Sequence, residues 1–387
     1  MIILKNCNLY TMSELNNVSG SIAVDGKKIV EVSTSDLSQK YKNATVIDVK
    51  GLFTMPGIVD PHCHVGMTEQ IYGAPADDTN EITNPVTPEL KGIEGIKPFD
   101  SSFKEALENG VTTVCTGPGS ANIIGGTFCA LKTKGKTIDE MVVKKELAMK
   151  MALGENPKRC YKTKGPSTRM ANAAILRDSL EQAKRYKEEL DSYNKDNTKP
   201  KPTYNAKWES LKRVFEGMPV KIHAHQADDI VTAVHIAEEF NLNYTIEHCT
   251  EGYLIPEFLK EHKVRCILGP TLGDKSKYEL KHKSFVSAKV LYENDILFGI
   301  MTDHPVITLD TTLAQTGLFV KAGLPYLEAL KANTINAAKV VGLEGIVGSL
   351  EKGKDADIVV YDKDPLAYDS HIFFVMLNGN IEINKLA

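Results

Sequence analysis

The chain has 387 residues, 42 % hydrophobic and 25 % charged, which supports a sizeable buried core and excludes a disordered or fibrous protein. Lys and Arg number 46 against 50 Asp and Glu, giving a net charge of −4, so nothing in the overall balance draws the chain to nucleic acid or an anionic membrane. The 7 cysteines are scattered, odd in number and free of C-x-x-C pairs, which fits reduced thiols and a cytoplasmic location.

The N-terminus lacks a basic start followed by an apolar run, and no stretch nears the ~18 apolar residues of a spanning helix, so neither a leader nor a membrane anchor is expected. Residues 1–57 hold short β-rich runs separated by turn residues such as Asp25-Gly26. Eight apolar runs then read as strands, at 57–62, 111–117, 127–133, 147–153, 220–225, 244–249, 264–269 and 297–303. Helical patterns fall between most of them, the longest at 168–192. This α/β alternation predicts a closed (β/α)8 TIM-like barrel over 58–345. The alternative, an open doubly wound sheet, has no G-x-G-x-x-G turn to support it.

Two segments interrupt the rhythm. Residues 65–98 form a long Pro/Gly/Asp/Asn-rich loop after the first barrel strand, with Tyr72, Asp77, Asp78 and Glu81 as candidates for a lid. Residues 190–207 form a polar, basic excursion whose lysines read as a solvated surface. From 346 the β-rich style returns, with Gly348, Gly353 and Asn378-Gly379 as punctuation. Neither chain end is long enough for its own core, so 1–57 and 346–387 are expected to build one small β-sandwich domain with the barrel inserted between its halves.

The placement of the histidines points to chemistry. His62 and His64 form an H-x-H pair at the end of the first barrel strand, where residues i and i+2 face one side. Such a pair is unremarkable alone. His223 lies near the end of the fifth strand, His248 near the end of the sixth, and Asp303 at the end of the eighth. In a (β/α)8 barrel these ends share one mouth, where active sites sit. Imidazoles with a carboxylate suit a first-row metal, zinc foremost and iron or manganese as alternatives. His225 shares the face of His223, and either contacts substrate or metal or bonds Asp228 or Asp229. Arg169 is a candidate for holding a substrate carboxylate, with a structural salt bridge as the alternative.

The motifs MPGIVDPHCHVG (55–66), KIHAHQADD (221–229), TIEHCTEG (245–252), MTDHPV (301–306) and the run from 336 to 366 resemble the metal-dependent amidohydrolase superfamily, near imidazolonepropionase and related cyclic-amide and dipeptide hydrolases. The resemblance covers nearly the whole chain. It implies that His62 and His64 hold the more buried metal, that His223 and His248 are the ligands of strands five and six, and that Asp303 binds metal and shuttles protons. On the fourth strand such proteins carry an N-carboxylated lysine, a glutamate or no ligand. Lys150 and Glu155 are the candidates, Glu155 preferred because it follows the strand end beside Gly154. The implied activity is hydrolysis of a C–N bond in a small molecule by metal-bound hydroxide, with His225 or His248 stabilising the oxyanion. One or two divalent ions per chain and a homo-oligomer are expected, with no nucleic-acid or membrane partner. The alternatives are a ring deaminase with one metal and a general-acid glutamate after strand five, where His225 stands here, and a metal-free scaffold protein of the same fold.

Overall fold

The computed structural model describes residues 1–69 and 77–386; the lid candidate Tyr72 lies outside the described residues. The N-terminal runs form β1 (Ile2–Tyr10), β2 (Asn17–Asp25), β3 (Lys28–Ser33), β4 (Thr45–Asp48) and β5 (Phe53–Pro56). The barrel strands are β6 (Ile58–Cys63), β7 (Val111–Thr116), β8 (Ile124–Lys132) and β9 (Val142–Ala152), then β10 (Val220–Ala224), β11 (Tyr244–His248), β12 (Cys266–Leu268) and β13 (Phe298–Ile300). The chain ends with β14 (Ile358–Tyr361), β15 (Ile372–Leu377) and β16 (Asn380–Asn384).

Both chain ends share one eight-stranded sheet in the order β16-β15-β14-β5-β1-β2-β3, with β4 paired to β1. The expectation is one small β-sandwich from both chain ends; the strands of both ends are hydrogen-bonded into a single continuous sheet. Its apolar face buries Leu4, Leu9, Ile22 and Val24 against Ile358, Val360, Phe374 and Met376. The two sheet extremities meet where Gly379 lies against the Gly26 carbonyl, an approach that leaves no room for a side chain.

The second sheet runs β6 to β13 in chain order. Its ends are drawn together just beyond the last paired residues, where the Asp303 N–H donates to the His62 carbonyl at 3.1 Å and the His64 N–H to the His304 carbonyl at 2.8 Å. The result is a nearly closed eight-stranded barrel, with one departure from the expected pattern. β8 runs antiparallel to both β7 and β9. A parallel crossover needs a dozen or more residues, and the Gly/Pro-rich link between β7 and β8 is too short to hold one. The hairpin places the 117–123 turn at the barrel mouth.

Strand alternation separates core from site. On β10, Ile222 packs outward with Met149 and Met151 of β9 and Ile246 of β11. They meet Leu176 and Leu180 of the helix Arg169–Lys195 and Ile230 and Val234 of the helix Ala227–Glu239. The intervening residues, Lys221 and His223, face the barrel interior. The long helix begins at Thr168, whose hydroxyl accepts the Ala171 N–H, and buries a stripe at helical spacing. Among the described residues no helix is long and apolar enough to cross a membrane.

Candidate metal centre

Two donor sets meet at the barrel mouth. His62 and His64 leave β6 on the same side, with ring centroids 5.3 Å apart. Asp303, which follows β13, adopts φ +53°. Its Oδ1 lies 3.1 Å from His64 Nε2 and 3.6 Å from His62 Nε2. The second set is His223, His225 and His248. His223 and His225 obey the i, i+2 rule, with rings 4.7 Å apart. His248 does not follow from simple alternation, because its neighbour Glu247 already faces the interior. Left-handed backbone at His248 (φ +68°) and Cys249 (φ +47°) turns the imidazole back inward. Its ring then sits 4.4 Å from that of His223 and 4.2 Å from that of His225. Such conformations cost of order 1 kcal/mol for a residue with a side chain, and they concentrate at functional sites. Within each set the donor atoms lie within 4.8 Å of one another, and every residue is buried.

The ring nitrogens are sorted by their partners. His62 Nδ1–H donates to Glu247 Oε2 at 2.5 Å, His64 Nδ1–H to the Gly117 carbonyl at 2.7 Å, and His248 Nδ1–H to the Gly269 carbonyl at 2.8 Å. Each bond leaves an Nε2 lone pair turned into the site, the arrangement that fixes imidazole ligands. Among the described residues, both ring nitrogens of His223 and the Nε2 of His225 have no hydrogen-bond partner although buried. Burial, reinforced by nearby cations, holds His62 and His223 well below the ordinary histidine pKa; His225 and His248 are likewise held down, burial first and neighbouring imidazoles next. Burial would raise Asp303, yet His248, His64 and Lys150 outweigh it and keep the carboxylate ionised. Neutral imidazoles, orphaned nitrogens and an ionised carboxylate are the donor set a divalent ion requires.

Lys150 completes the floor. It is fully buried on β9, opposite Lys221 in the β9–β10 register, and its Nζ lies 3.3 Å from His62 Nε2. Burial lowers its pKa to about 8, with Lys221 and Lys277 adding to the effect against Glu247 and Asp303. Beneath these groups Phe128, from the antiparallel strand, packs on the His62 ring at 4.9 Å. Above them opens a cavity of about 560 Å³, walled by His64, His223, His225, His248, Asp303 and the loops bearing Ser120, Asn156, Arg159 and Lys277.

Residues 53–383 match the amidohydrolase family model. The chain belongs to the amidohydrolase family. An amidohydrolase from Thermotoga maritima of known structure is 36 % identical, with a TM-score of 0.95 over 99 % of this chain and 100 % of that one. Among curated proteins, the amidohydrolase tasK of Hapsidospora irregularis is 28 % identical over 94 % of this chain, which spans 40 % of that protein. A 5'-deoxyadenosine deaminase of Methanobrevibacter smithii is 23 % identical over 98 % of this chain and 90 % of its own length.

In this amidohydrolase His62, His64, His223, His225, His248 and Asp303 are brought together, whereas two other candidate residues stand apart. Glu155 is the first residue of the short helix Glu155–Cys160, half-buried, and belongs to neither donor set. Lys150, two residues before the end of β9, lies on its inward face, whereas Glu155 lies beyond the strand. Arg169 is engaged by Asp229 at 2.7 Å and Asp228 at 2.5 Å, so its guanidinium is a brace between helices and not a substrate clamp. The same pairing removes Asp228 and Asp229 as partners for His225, whose Nδ1 instead lies 2.7 Å from Thr250 Oγ1. Three buried side chains beside the site histidines escaped the sequence reading. Glu247 and Lys221 form a buried pair at 2.8 Å that steadies His62. Glu279, after β12, sends Oε1 to 3.5 Å from His225 Nε2. The T-x-E-H and K-x-H spacings gave a signal for the first two; nothing local marks Glu279.

Proposed function

We propose that this amidohydrolase is a divalent-metal-dependent hydrolase that cleaves an amide or cyclic-amide C–N bond in a small molecule. The observation that carries the reading is the pair of buried donor sets meeting over Lys150. A bound divalent ion, zinc foremost, supplies Lewis acidity that activates water and polarises the scissile carbonyl. Asp303 takes the proton from the attacking water as the new C–O bond forms, and returns it to the nitrogen as the C–N bond breaks. Lys150 serves as the strand-four ligand once its neutral amine has attacked carbon dioxide, releasing a proton and leaving a carbamate. Geometry is the basis of this assignment, and the lowered pKa supports it. With the pKa lowered to about 8, more of the amine is neutral at pH 7 than in an ordinary lysine. His225 faces the same point as His223 and His248, which suits holding an ion better than acting alone on an oxyanion.

The cavity offers Arg159 as a cation for an anionic substrate group. Arg159 lines it and has no ion-pair or hydrogen-bond partner among the described residues, unlike the braced Arg169. Arg159→Ala is expected to raise KM about tenfold for a carboxylate-bearing substrate while kcat is kept. Arg169→Ala should leave both constants near wild type and lower stability by about 1–3 kcal/mol, because buried Asp229 loses its partner. Steady-state kinetics and denaturant titration separate the two.

A ring deaminase is the second reading, favoured by the name of the Methanobrevibacter relative. Metal content distinguishes them. Protein purified without chelator should carry about two zinc or manganese ions per chain, lose turnover on chelation and regain it on zinc addition. A single ion together with ammonia release from an aminated ring would establish the deaminase. No ion after reconstitution would sink both readings in favour of a scaffold.

A further inference from the structure

Glu279 is a buried carboxylate that the hydrolytic scheme leaves without a task. It is 1 % exposed, in the segment that follows β12 and crosses the barrel mouth. Its Oε2 accepts the Glu155 N–H at 2.9 Å. That contact depends on Gly154 (φ +84°), where a Cβ would come within 2.8 Å of the same oxygen. The carboxylate is thereby held in one pose. Its Oε1 lies 3.5 Å from His225 Nε2 and 3.7 Å from His223 Nε2. All three atoms are buried and have no hydrogen-bond partner of regular geometry. Lys277 Nζ, 2.6 Å from Oε1, neutralises the carboxylate and also donates to Asn156 Oδ1 at 3.1 Å.

Donor atoms bound at about 2.0–2.1 Å to one tetrahedral ion stand about 3.3–3.4 Å apart. The Glu279–His225 and Glu279–His223 separations are those of neighbouring corners around a shared ion, slightly opened. A carboxylate and two neutral imidazoles converge here, and the one cation now against the carboxylate is the Lys277 ammonium, 2.6 Å from Oε1. We infer that Glu279 is a further protein ligand of the ion held at the His223, His225 and His248 position, entering on the side of His223 and His225 and adding a carboxylate to whatever Lys150 supplies. This rests on the site holding divalent ions, as the hydrolase reading requires. It also makes the two metal positions unlike in kind. The His62, His64 and Asp303 position has two imidazoles and a carboxylate, whereas the second has three imidazoles with Glu279 beside two of them.

The rival account is purely structural: Glu279 exists to pair with Lys277 and to fix the start of the Glu155 helix. Chelator competition with zinc, read as stoichiometry and affinity on the full chain, separates the two. Glu279→Gln is expected to weaken one of two zinc equivalents at least tenfold and leave the other unchanged. Lys277→Met, which removes the competing cation, should bind both equivalents at least as tightly as wild type. Zinc anomalous scattering from wild-type crystals supplies a readout independent of any variant's folding, and should place Glu279 Oε1 within about 2.3 Å of the second ion. Two equivalents bound by Glu279→Gln at wild-type affinity, or an ion more than 3 Å from Glu279, overturns the inference and leaves the hydrolase intact. Wild-type protein that takes up no zinc overturns both.

Discussion

Asp303→Asn is expected to lower kcat about 10²–10⁴-fold with KM within about threefold of wild type and the fold unchanged. Asparagine keeps the size of the side chain and an oxygen that can face His64 Nε2, now 3.1 Å from Oδ1. It cannot accept a proton at that oxygen and return it to a leaving nitrogen. The carboxylate is suited to the task because His248, His64 and Lys150 keep it ionised despite burial. Metal analysis of the variant separates loss of the proton carrier from loss of the ion. Turnover at the wild-type rate would remove Asp303 from the chemistry.

Lys150→Met carries the second large effect, and here stability and activity should move in opposite directions. Methionine fills nearly the same volume on β9 and removes a buried ammonium, so the melting temperature should hold or rise. Activity should fall at least about 100-fold, because the ligand between the two donor sets is gone. Glu155→Gln, by contrast, should cost less than about threefold, since that side chain belongs to neither donor set. For the wild-type protein stripped of metal, reconstitution with zinc should depend on added bicarbonate, the source of the carbon dioxide that the proposed Lys150 carbamate requires. If bicarbonate makes no difference and Lys150→Met is active, the strand-four ligand is absent from this enzyme.

Much of the site could be read from the sequence because its parts are local. H-x-H, H-A-H, the sixth-strand histidine and D-H-P each sit at a strand end, and a barrel gathers strand ends at one mouth. What escaped depends on relations between strands. Lys150 looks like a mid-strand residue until its register with Lys221 shows that it shares the inward face of β10. Glu279 comes from a segment with no regular pattern and reaches the histidines only through the closing of the mouth. The direction of β8 was recoverable from arithmetic: the nine residues 118–126 between two strand runs cannot hold a crossover helix. The positive φ at His248 and Asp303 leaves no mark in composition, since neither residue is a glycine.

The shared terminal sheet imposes an order on synthesis. Strand β5 pairs with β1 as soon as both exist, but its other edge waits for β14, which emerges about 300 residues later. At roughly 5–20 residues per second the delay is roughly 15–60 s. During that time the barrel is being made while an apolar sheet edge stays open beside it, a template for mispairing with another nascent chain. Strands β14 to β16 therefore act as the closing piece of a module begun by the chain's first strands, and the open edge of β5 is sealed only after the whole barrel has been made.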